Sequence, residues 1–146
     1  MPIANIASVL EHGILSHDQA ARLTHVDVSM ADVQNRRAGK AVPGGLRLHQ
    51  YANLYLCARN PMMYRRQNER SRLYVLRVDR TVLELEGVVL TTGNAASDYS
   101  RFLPSPEGLR ECVAEIGTAL GDKSRSEDLA FHLFLYSYFN MSNFVY

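Results

Sequence analysis

Arginines and tyrosines crowd the window between Arg59 and Arg77, where Glu69 is the only acidic residue. The basic and aromatic residues of this window are Arg59, Arg65, Arg66, Arg70, Arg72 and Arg77, with Tyr64 and Tyr74 between them. A groove for single-stranded nucleic acid has this composition, because guanidinium groups contact phosphates and aromatic rings stack on bases. An arginine-rich solvated loop between two strands has it as well, and composition alone favours that second interpretation.

The overlapping stretch Ala31–Tyr64 combines residue types that generic domains rarely concentrate without building a site. It contains, in order, the pair Arg36-Arg37, the break Pro43-Gly44-Gly45, the step Leu48-His49-Gln50-Tyr51, a short apolar strand and the turn Asn60-Pro61-Met62-Met63. The Pro-Gly-Gly break predicts a loop over 40–46, because proline removes a backbone donor and glycine frees the backbone. The stretch is therefore the candidate functional centre of the chain.

Hydrophobic spacing predicts the helices that precede this centre. Apolar residues recur at helical spacing from Ile3 to Ile14, with Asn5 as a candidate cap and Gly13 as a candidate stop. Residues 16–30 are polar and aperiodic, which predicts irregular structure. A brief helical turn over 31–37 would then begin at a cap formed by Ser29 or Asp32.

The segments that follow predict strands and then a second helix. Residues 52–58, 73–78 and 82–90 are rich in β-forming residues, with the last segment interrupted at Gly87. Ser105-Pro106-Glu107 predicts a helix start and Gly121 its end. The aromatic tail over 129–146 fits either a strand pair or a helix. Helices on both sides of a group of strands predict an α+β fold.

Composition limits the classes to which the protein can belong. Its 146 residues, with 47% apolar and 21% charged side chains, predict one globular domain over 1–146. We expect no membrane span and no signal peptide, because no apolar run is long enough and the first residues lack a basic leader. Cys57 and Cys112 are expected to be reduced, buried thiols of a cytosolic protein. The five histidines show no metal-ligand spacing, so no metal site is expected.

Several ordered blocks closely resemble the DarT family, bacterial toxins that ADP-ribosylate thymidine in single-stranded DNA with NAD. The resembling blocks are Val9–Ser16, Asn35-Arg36-Arg37, Pro43-Gly44-Gly45, Leu48-His49-Gln50-Tyr51, the run from Tyr55 to Tyr64, Leu73–Asp79 and Val88–Phe102. The resemblance covers most of Ile3–Leu109. It implies an ADP-ribosyltransferase-like fold, with a split, mixed β-sheet core flanked by short helices.

The resemblance also implies the chemistry and the residues of a cofactor site. Cleavage of the nicotinamide glycosidic bond passes through a cation-like ribose, so a carboxylate must stabilise positive charge and help to remove the acceptor proton. Arg37 matches the family's essential arginine and would grip NAD, whereas the alternative is a surface arginine. Tyr55 and Met62 match positions beside nicotinamide, or are simple core residues. Asn5 matches a residue at the NAD site, or is only a helix cap. Glu127 is the candidate catalytic carboxylate by position, although an exposed acid is the commoner state of such a residue.

The resemblance places a second group of residues toward DNA. These candidates are His49, Arg59, Arg65, Arg66 and Asn94. His49 has a simpler alternative role, which is to hold its loop by hydrogen bonds. The implied partners are single-stranded DNA and a macrodomain antitoxin of the DarG type, with NAD as co-substrate, no metal, and a bacterial cytoplasmic location.

The ends of the chain depart from the family pattern, and this leaves an alternative function open. The family begins with a strand carrying a His-x-Thr-His-like motif that this sequence lacks, and Ser126-Glu127-Asp128-Leu129 only approximates the family's catalytic strand. The alternative is a truncated, catalytically impaired member that serves as a DNA- or protein-binding module.

Overall fold

The structure, a computed structural model, describes residues 1–56 and 60–114 together with the backbone of one further strand, His132–Tyr136. Four strands form one antiparallel sheet: β1 (Tyr51–Tyr55), β2 (Val89–Thr91), β3 (Phe102–Pro104) and β4 (His132–Tyr136). Their spatial order is β1-β4-β2-β3, so the last strand of the described chain lies between two earlier ones. Of the two structures that fitted the aromatic tail, a strand is the one observed for these five residues.

Short helices surround this sheet. They are α1 (Ile6–His12), α2 (His17–Ala20), α3 (Ala31–Ala38), α4 (Pro61–Arg65) and α5 (109–114). The described residues also contain four 3₁₀ turns, Ile3–Asn5, Leu48–Gln50, Gln67–Arg72 and Arg80–Glu84. The mixture of short helices and one sheet confirms the α+β prediction.

The first helix ends where the sequence predicts and begins in a different way. Gly13 closes α1 with a positive φ of 80°, and its N–H donates to the Val9 carbonyl at 2.8 Å. Asn5 occupies the cap position, but its side chain makes no capping hydrogen bond. Instead, Asn5 donates to the Val26 carbonyl and accepts from the Val26 N–H, both at 2.9 Å. The cap position is therefore as predicted, but the Asn5 amide pairs with a distant stretch of backbone instead of capping α1.

The segment 16–30 is more ordered than its composition predicts. Ser16 and Gln19 form a reciprocal capping box that starts α2. The predicted caps of α3 are both wrong, because Met30 occupies its N-cap position. Ser29 is instead bound by Asp27, through its N–H at 2.7 Å and its hydroxyl at 2.9 Å.

Two of the three predicted strands are corrected by the structure. Residues 73–78 contain only one isolated bridge, between Leu73 and Pro2. Within 82–90, the chain first completes the 3₁₀ turn Arg80–Glu84, because Asp79 accepts a hydrogen bond from the Thr81 N–H at 2.9 Å. Burial, rather than membership of a strand, accounts for the apolar residues of this segment: Val82 and Val88 are both buried outside any strand. The strand predicted at 52–58 is observed, as Tyr51–Tyr55.

The predicted helix start, with Ser105 as the cap, is also wrong, by three residues. Residues 105–108 form a turn, and α5 begins at residue 109. The Ser105 hydroxyl donates to the Leu83 carbonyl at 2.6 Å, so it ties two segments together rather than capping a helix. Gly108 is buried against β3, where a Cβ would lie 2.4 Å from the Leu103 Cβ.

Two groups of buried residues form the described core. The first consists of Ala52, Val82, Val88, Leu90 and Cys112, and the second of Val42, Leu48, Tyr51 and Ala95. Cys112 is completely buried, as predicted, while Cys57 lies outside the described residues. The second group joins the Pro-Gly-Gly loop to the chain between β2 and β3, and it supports the site described next.

Candidate active site

The Pro-Gly-Gly break forms a tight turn that returns the chain from α3 to the sheet. The Gly45 N–H donates to the Val42 carbonyl at 2.8 Å, with Pro43 second in the turn and Gly44 third at a φ of 70°. Proline followed by a residue of positive φ is the signature of a type II turn. The Tyr51 hydroxyl accepts the Leu46 N–H at 3.1 Å, which fixes the turn against the first residue of β1. The predicted loop over 40–46 is confirmed.

Arg37 lies in the last turn of α3 and is buried, with 8% of its surface exposed. Burial lowers the pKa of its guanidinium, and Tyr55 acts in the opposite direction. An arginine nevertheless stays protonated at neutral pH. The fold therefore holds a positive charge in a place from which much of the water is excluded, and there its attraction for an anion is stronger than at the surface.

Tyr55 ends β1 on the same side of the molecule as Arg37. Burial raises the pKa of its phenol, and the positive charge of Arg37 partly opposes that rise. Strand β1 and helix α3 therefore place the two side chains near enough for each to influence the pKa of the other. At neutral pH the pair is a cation beside a neutral hydroxyl, which is suited to a polar ligand with an anionic part and a flat part.

His49 forms the third part of this group. It lies in the turn before β1, and its Nε2 is 3.0 Å from the Oε1 of Gln34 on α3. Its ring also packs on that of His17, with centroids 4.2 Å apart and planes tilted by 35°. Burial lowers the pKa of His49, and the nearby His17 and Arg37 lower it further, while Asp18 raises it. A lowered pKa keeps this imidazole neutral at neutral pH.

Lys40 connects the group to the loop over residues 93–100. Its ammonium group donates to the Ala96 carbonyl at 2.8 Å and to the Asp98 carboxylate at 2.7 Å. Asn94 shapes the same loop, since its side-chain oxygen accepts the Ala96 N–H at 3.0 Å and its carbonyl accepts the Ser100 hydroxyl at 2.6 Å. Asn94, predicted to face DNA, is therefore a turn-forming residue of a loop that is fixed to the end of α3.

The Arg-Asn-Pro-Met-Met turn builds helix α4. Asn60 is buried and caps the helix by accepting the Met63 N–H at 3.0 Å, with Pro61 in the first turn. Proline is favoured there because its missing N–H would have no partner within the helix. Met62, a predicted nicotinamide contact, lies half-buried in this first turn, and Arg65 is exposed in the last.

Arg66 and Asn5 are both engaged in holding the segment before α3. The Arg66 guanidinium donates to the Val28 carbonyl and pairs with Glu69 at 2.8 Å. Asn5 holds Val26 of the same segment by the two hydrogen bonds described above. The two predicted ligand contacts thus have structural partners in this conformation. Arg59 and Glu127, two further predicted site residues, lie outside the described residues.

The structure brings Arg37, Tyr55 and His49 together and adds three residues that the sequence did not single out. These are His17, Gln34 and Lys40, which contact the group or the loop beside it. Only the position of Lys40 at the start of the predicted loop over 40–46 offered a signal. Within 1–56 and 60–114, no three histidine, cysteine or acidic side chains cluster as metal ligands would. None of the helices in the described part of the chain is long and apolar enough to span a membrane.

Comparison with protein families gives one match over most of the chain. The model of the family described as "ssDNA thymidine ADP-ribosyltransferase, DarT" matches residues 1–126. A curated relative from Thermosipho africanus (strain H17ap60334), a DNA ADP-ribosyl transferase–DNA ADP-ribosyl glycohydrolase fusion protein, is 31% identical over 110 residues. That alignment spans 72% of this chain but only 28% of the fusion protein.

Solved structures show the same fold. Thermosipho africanus DarTG in complex with ADP-ribose superposes with a TM-score of 0.82 at 22% identity, over 98% of this chain and 40% of that one. Thermus sp. 2.9 DarT in complex with ADP-ribosylated ssDNA gives a TM-score of 0.71 at 23% identity. The same protein in complex with NAD+ gives 0.63 at 20% identity, and both comparisons cover 93% of this chain and 72% of the Thermus chain.

Proposed function

Because the chain belongs to the DarT family of ssDNA thymidine ADP-ribosyltransferases, we propose that it transfers ADP-ribose from NAD to thymidine bases in single-stranded DNA. Buried Arg37 beside Tyr55 is the observation that carries the proposal to residues of this chain. The names of the Thermus complexes supply the ligand classes, which are NAD+ and ADP-ribosylated ssDNA.

In the proposed reaction, the bond between the ribose anomeric carbon and nicotinamide breaks, and its electron pair leaves with nicotinamide. A nucleophilic atom of the thymidine base gives an electron pair to the same carbon, and a carboxylate accepts the proton that the base loses. The carboxylate also stabilises the positive charge that develops on the ribose. Glu127 is proposed for this role from its place in the sequence.

Arg37 would bind the anionic part of NAD. A buried guanidinium presents its donors in a fixed fork and attracts phosphate oxygens strongly where water is scarce. Tyr55 and Met62 would line the nicotinamide side of the site. Asn5 would act indirectly, because its side chain holds Val26 rather than pointing to an open position.

On the DNA side, Arg65 is the candidate whose exposure best suits contact with a phosphate. Arg66 would shape the surface, since its guanidinium already binds Val28 and Glu69. His49 and Asn94 belong to segments packed around the end of α3, and Arg59 is retained from the sequence resemblance alone.

We further propose that the protein acts as the toxin of a toxin–antitoxin pair in the bacterial cytoplasm. The curated relative supports this, because it joins a DNA ADP-ribosyl transferase to a DNA ADP-ribosyl glycohydrolase, an enzyme class that would remove the modification. The implied partner of this chain is a macrodomain antitoxin.

The direct test is to incubate the purified chain with NAD and an oligonucleotide that contains thymidine, and to detect ADP-ribosylated DNA by mass spectrometry. The same oligonucleotide without thymidine should remain unmodified. Arg37→Ala should lose activity by about 100-fold or more, because a positioned charged contact to the reacting substrate is removed. Arg36→Ala is the matched control, since the adjacent Arg36 is exposed, and it should retain activity.

A different result would support the alternative function. If the wild-type chain binds the oligonucleotide but yields no adduct and no free nicotinamide, it is a binding module rather than a transferase. Equal activities of Arg37→Ala and the wild type would refute the proposed site even if the reaction occurs.

A further inference from the structure

Tyr99 has 95% of its surface exposed, which sets it apart from other large apolar or aromatic residues of the described chain. The next most exposed residue of this kind is Tyr64, at 65%. Burial of an aromatic ring is strongly favourable, so a fully solvated tyrosine on an ordered loop gains nothing for the fold. Exposed aromatic side chains of this kind are the usual contacts for bases of single-stranded nucleic acid.

The loop that carries Tyr99 contains several hydrogen bonds between its own residues. Thr92 and Arg101 close it by two hydrogen bonds of 3.2 Å, one from the Thr92 N–H to the Arg101 carbonyl and one from the Arg101 N–H to the Thr92 hydroxyl. The Ser97 N–H donates to the Asn94 carbonyl at 2.7 Å, and the Tyr99 N–H donates to the Ser97 hydroxyl at 3.3 Å. A ring presented on a pre-ordered loop loses little conformational entropy on binding.

The inside of the loop belongs to the core. Ala95 is completely buried with Val42, Leu48 and Tyr51, and Ala96 is buried beside it. These neighbours also shape the turn between α3 and β1. Tyr99 therefore faces outward from a loop whose buried residues pack against the turn between α3 and β1.

Lys40 fixes the loop next to the end of α3 and also sets its charge. Lys40 lies three residues after Arg37 along the chain, and its ammonium group pairs with Asp98 at 2.7 Å. The paired Asp98 gives the surface next to Tyr99 no surplus of positive charge. Such a surface does not suit a phosphate, but it suits the uncharged face of a base.

We propose that Tyr99 is a stacking platform for a DNA base that flanks the thymidine to be modified. The proposal rests on the proposed function, which supplies single-stranded DNA as the ligand. Stacking is tolerant of sequence, because every base has a π-face. The role of Tyr99 is thus to hold and orient the strand beside the site rather than to react.

The test measures binding of fluorescent single-stranded oligonucleotides by anisotropy in the absence of NAD. Tyr99→Ala should weaken binding on the order of tenfold, as expected for loss of one base–aromatic stack. Tyr99→Phe should bind as the wild type does, because it retains the ring. Leu85→Ala is the control, since Leu85 is also exposed but precedes β2 at the opposite end from the loop, and its affinity should not change.

Salt dependence and abasic sites separate stacking from charge. The slope of log affinity against log salt should be the same for Tyr99→Ala and the wild type, whereas loss of one phosphate contact changes it by about 0.7. Oligonucleotides with one abasic site, scanned through the positions around the thymidine, should include one that weakens wild-type binding but not that of Tyr99→Ala.

The outcomes distinguish this proposal from the proposed function. A Tyr99-dependent affinity without any adduct from NAD would refute the transferase activity and support stacking. Normal adduct formation with unchanged affinity of Tyr99→Ala and no sensitive abasic position would overturn the stacking role. A loss confined to binding of a purified macrodomain would also overturn it, because the ring would then be a protein contact.

Discussion

At the scale of single residues, the site combines groups whose charge states are set by burial. Arg37 is a buried cation, while Tyr55 and His49 are held neutral at physiological pH. The resemblance of Asn35-Arg36-Arg37 to the family singled out Arg37, but it did not predict that Arg37 is buried. The partners of His49 were not predictable, because Gln34 and His17 reach it only after α2, α3 and the turn before β1 have packed together.

The His49 environment predicts that acid will destabilise the fold. Its pKa is lowered from an ordinary value of 6.5, so the unfolded chain binds protons more readily than the folded one. The contribution of neutral His49 to the free energy of unfolding is fully present above pH 6.5, and it is lost as the pH falls through the lowered pKa. The free energy of unfolding, measured in urea, should therefore fall less between about pH 7.5 and about pH 5.5 for His49→Gln than for the wild type.

The histidines and nearby charges supply the controls for this experiment. His17, Asp18 and Arg37 face His49 and remain in the variant. His25→Gln changes an exposed histidine elsewhere and should keep the wild-type response. The explanation fails if His49→Gln and His25→Gln respond to acid in the same way. The aspartates with lowered pKa values titrate below 3.8, outside this range.

At the scale of elements, two of the positions that need a positive φ were more predictable than helix starts or strands. The Pro-Gly-Gly turn and the Gly13 helix end follow from backbone geometry that few residues can adopt. The strand predicted at 73–78 is absent and the one predicted at 82–90 begins only at Val89, because buried apolar residues were read as sheet residues. In the fold, Val82 and Val88 bury their side chains from a 3₁₀ turn and an irregular segment.

The turn before α5 predicts a strict requirement for glycine. A Cβ on Gly108 would lie 2.4 Å from the Leu103 Cβ and 2.8 Å from the Pro104 carbonyl oxygen, both in β3. Gly108→Ala should lower the free energy of unfolding by about 1–3 kcal/mol, as overpacking does. Gly39→Ala is the matched control, because nothing lies within 4 Å of its added Cβ. Equal stabilities in chemical denaturation would contradict this account.

The contacts of Lys40 predict that a substitution outside the 93–100 loop will increase the mobility of its backbone. Lys40→Met removes two hydrogen bonds, to the Ala96 carbonyl and to Asp98, whereas Asp98→Asn weakens only the second. Amide hydrogen exchange in 93–100 should therefore accelerate more in Lys40→Met than in Asp98→Asn. If exchange is as fast in Asp98→Asn as in Lys40→Met, the ion pair rather than the contact with the Ala96 carbonyl holds the loop.

At the scale of the whole molecule, the sheet order was beyond the reach of the sequence. Strand β4 comes last among the described strands and yet lies between β1 and β2. Local patterns identify candidate strands, but they do not specify which distant strands pair. The pairing of Leu133 with both Leu54 and Leu90 depends on the three-dimensional arrangement of the complete sheet.

The central place of β4 predicts that its backbone is essential. Phe134 pairs with Asn53 on one side and Val89 on the other. Phe134→Pro removes a backbone donor in a central strand, where proline is not tolerated, and should abolish cooperative thermal unfolding. Phe134→Val retains the donor and a β-forming side chain, so it should still unfold cooperatively. Cooperative unfolding of the proline variant near the wild-type temperature would contradict the strand order.

The buried alanines of the 93–100 loop also limit how its specificity can be redesigned. Ala95 and Ala96 are core residues, so transplanting a whole loop from a relative would disturb the interior as well as the surface. The side chains of Ser97, Asp98 and Ser100 also hold the loop, through hydrogen bonds with the Tyr99 N–H, Lys40 and the Asn94 carbonyl. Selection for altered sequence preference should therefore keep these residues and both alanines, and vary Tyr99.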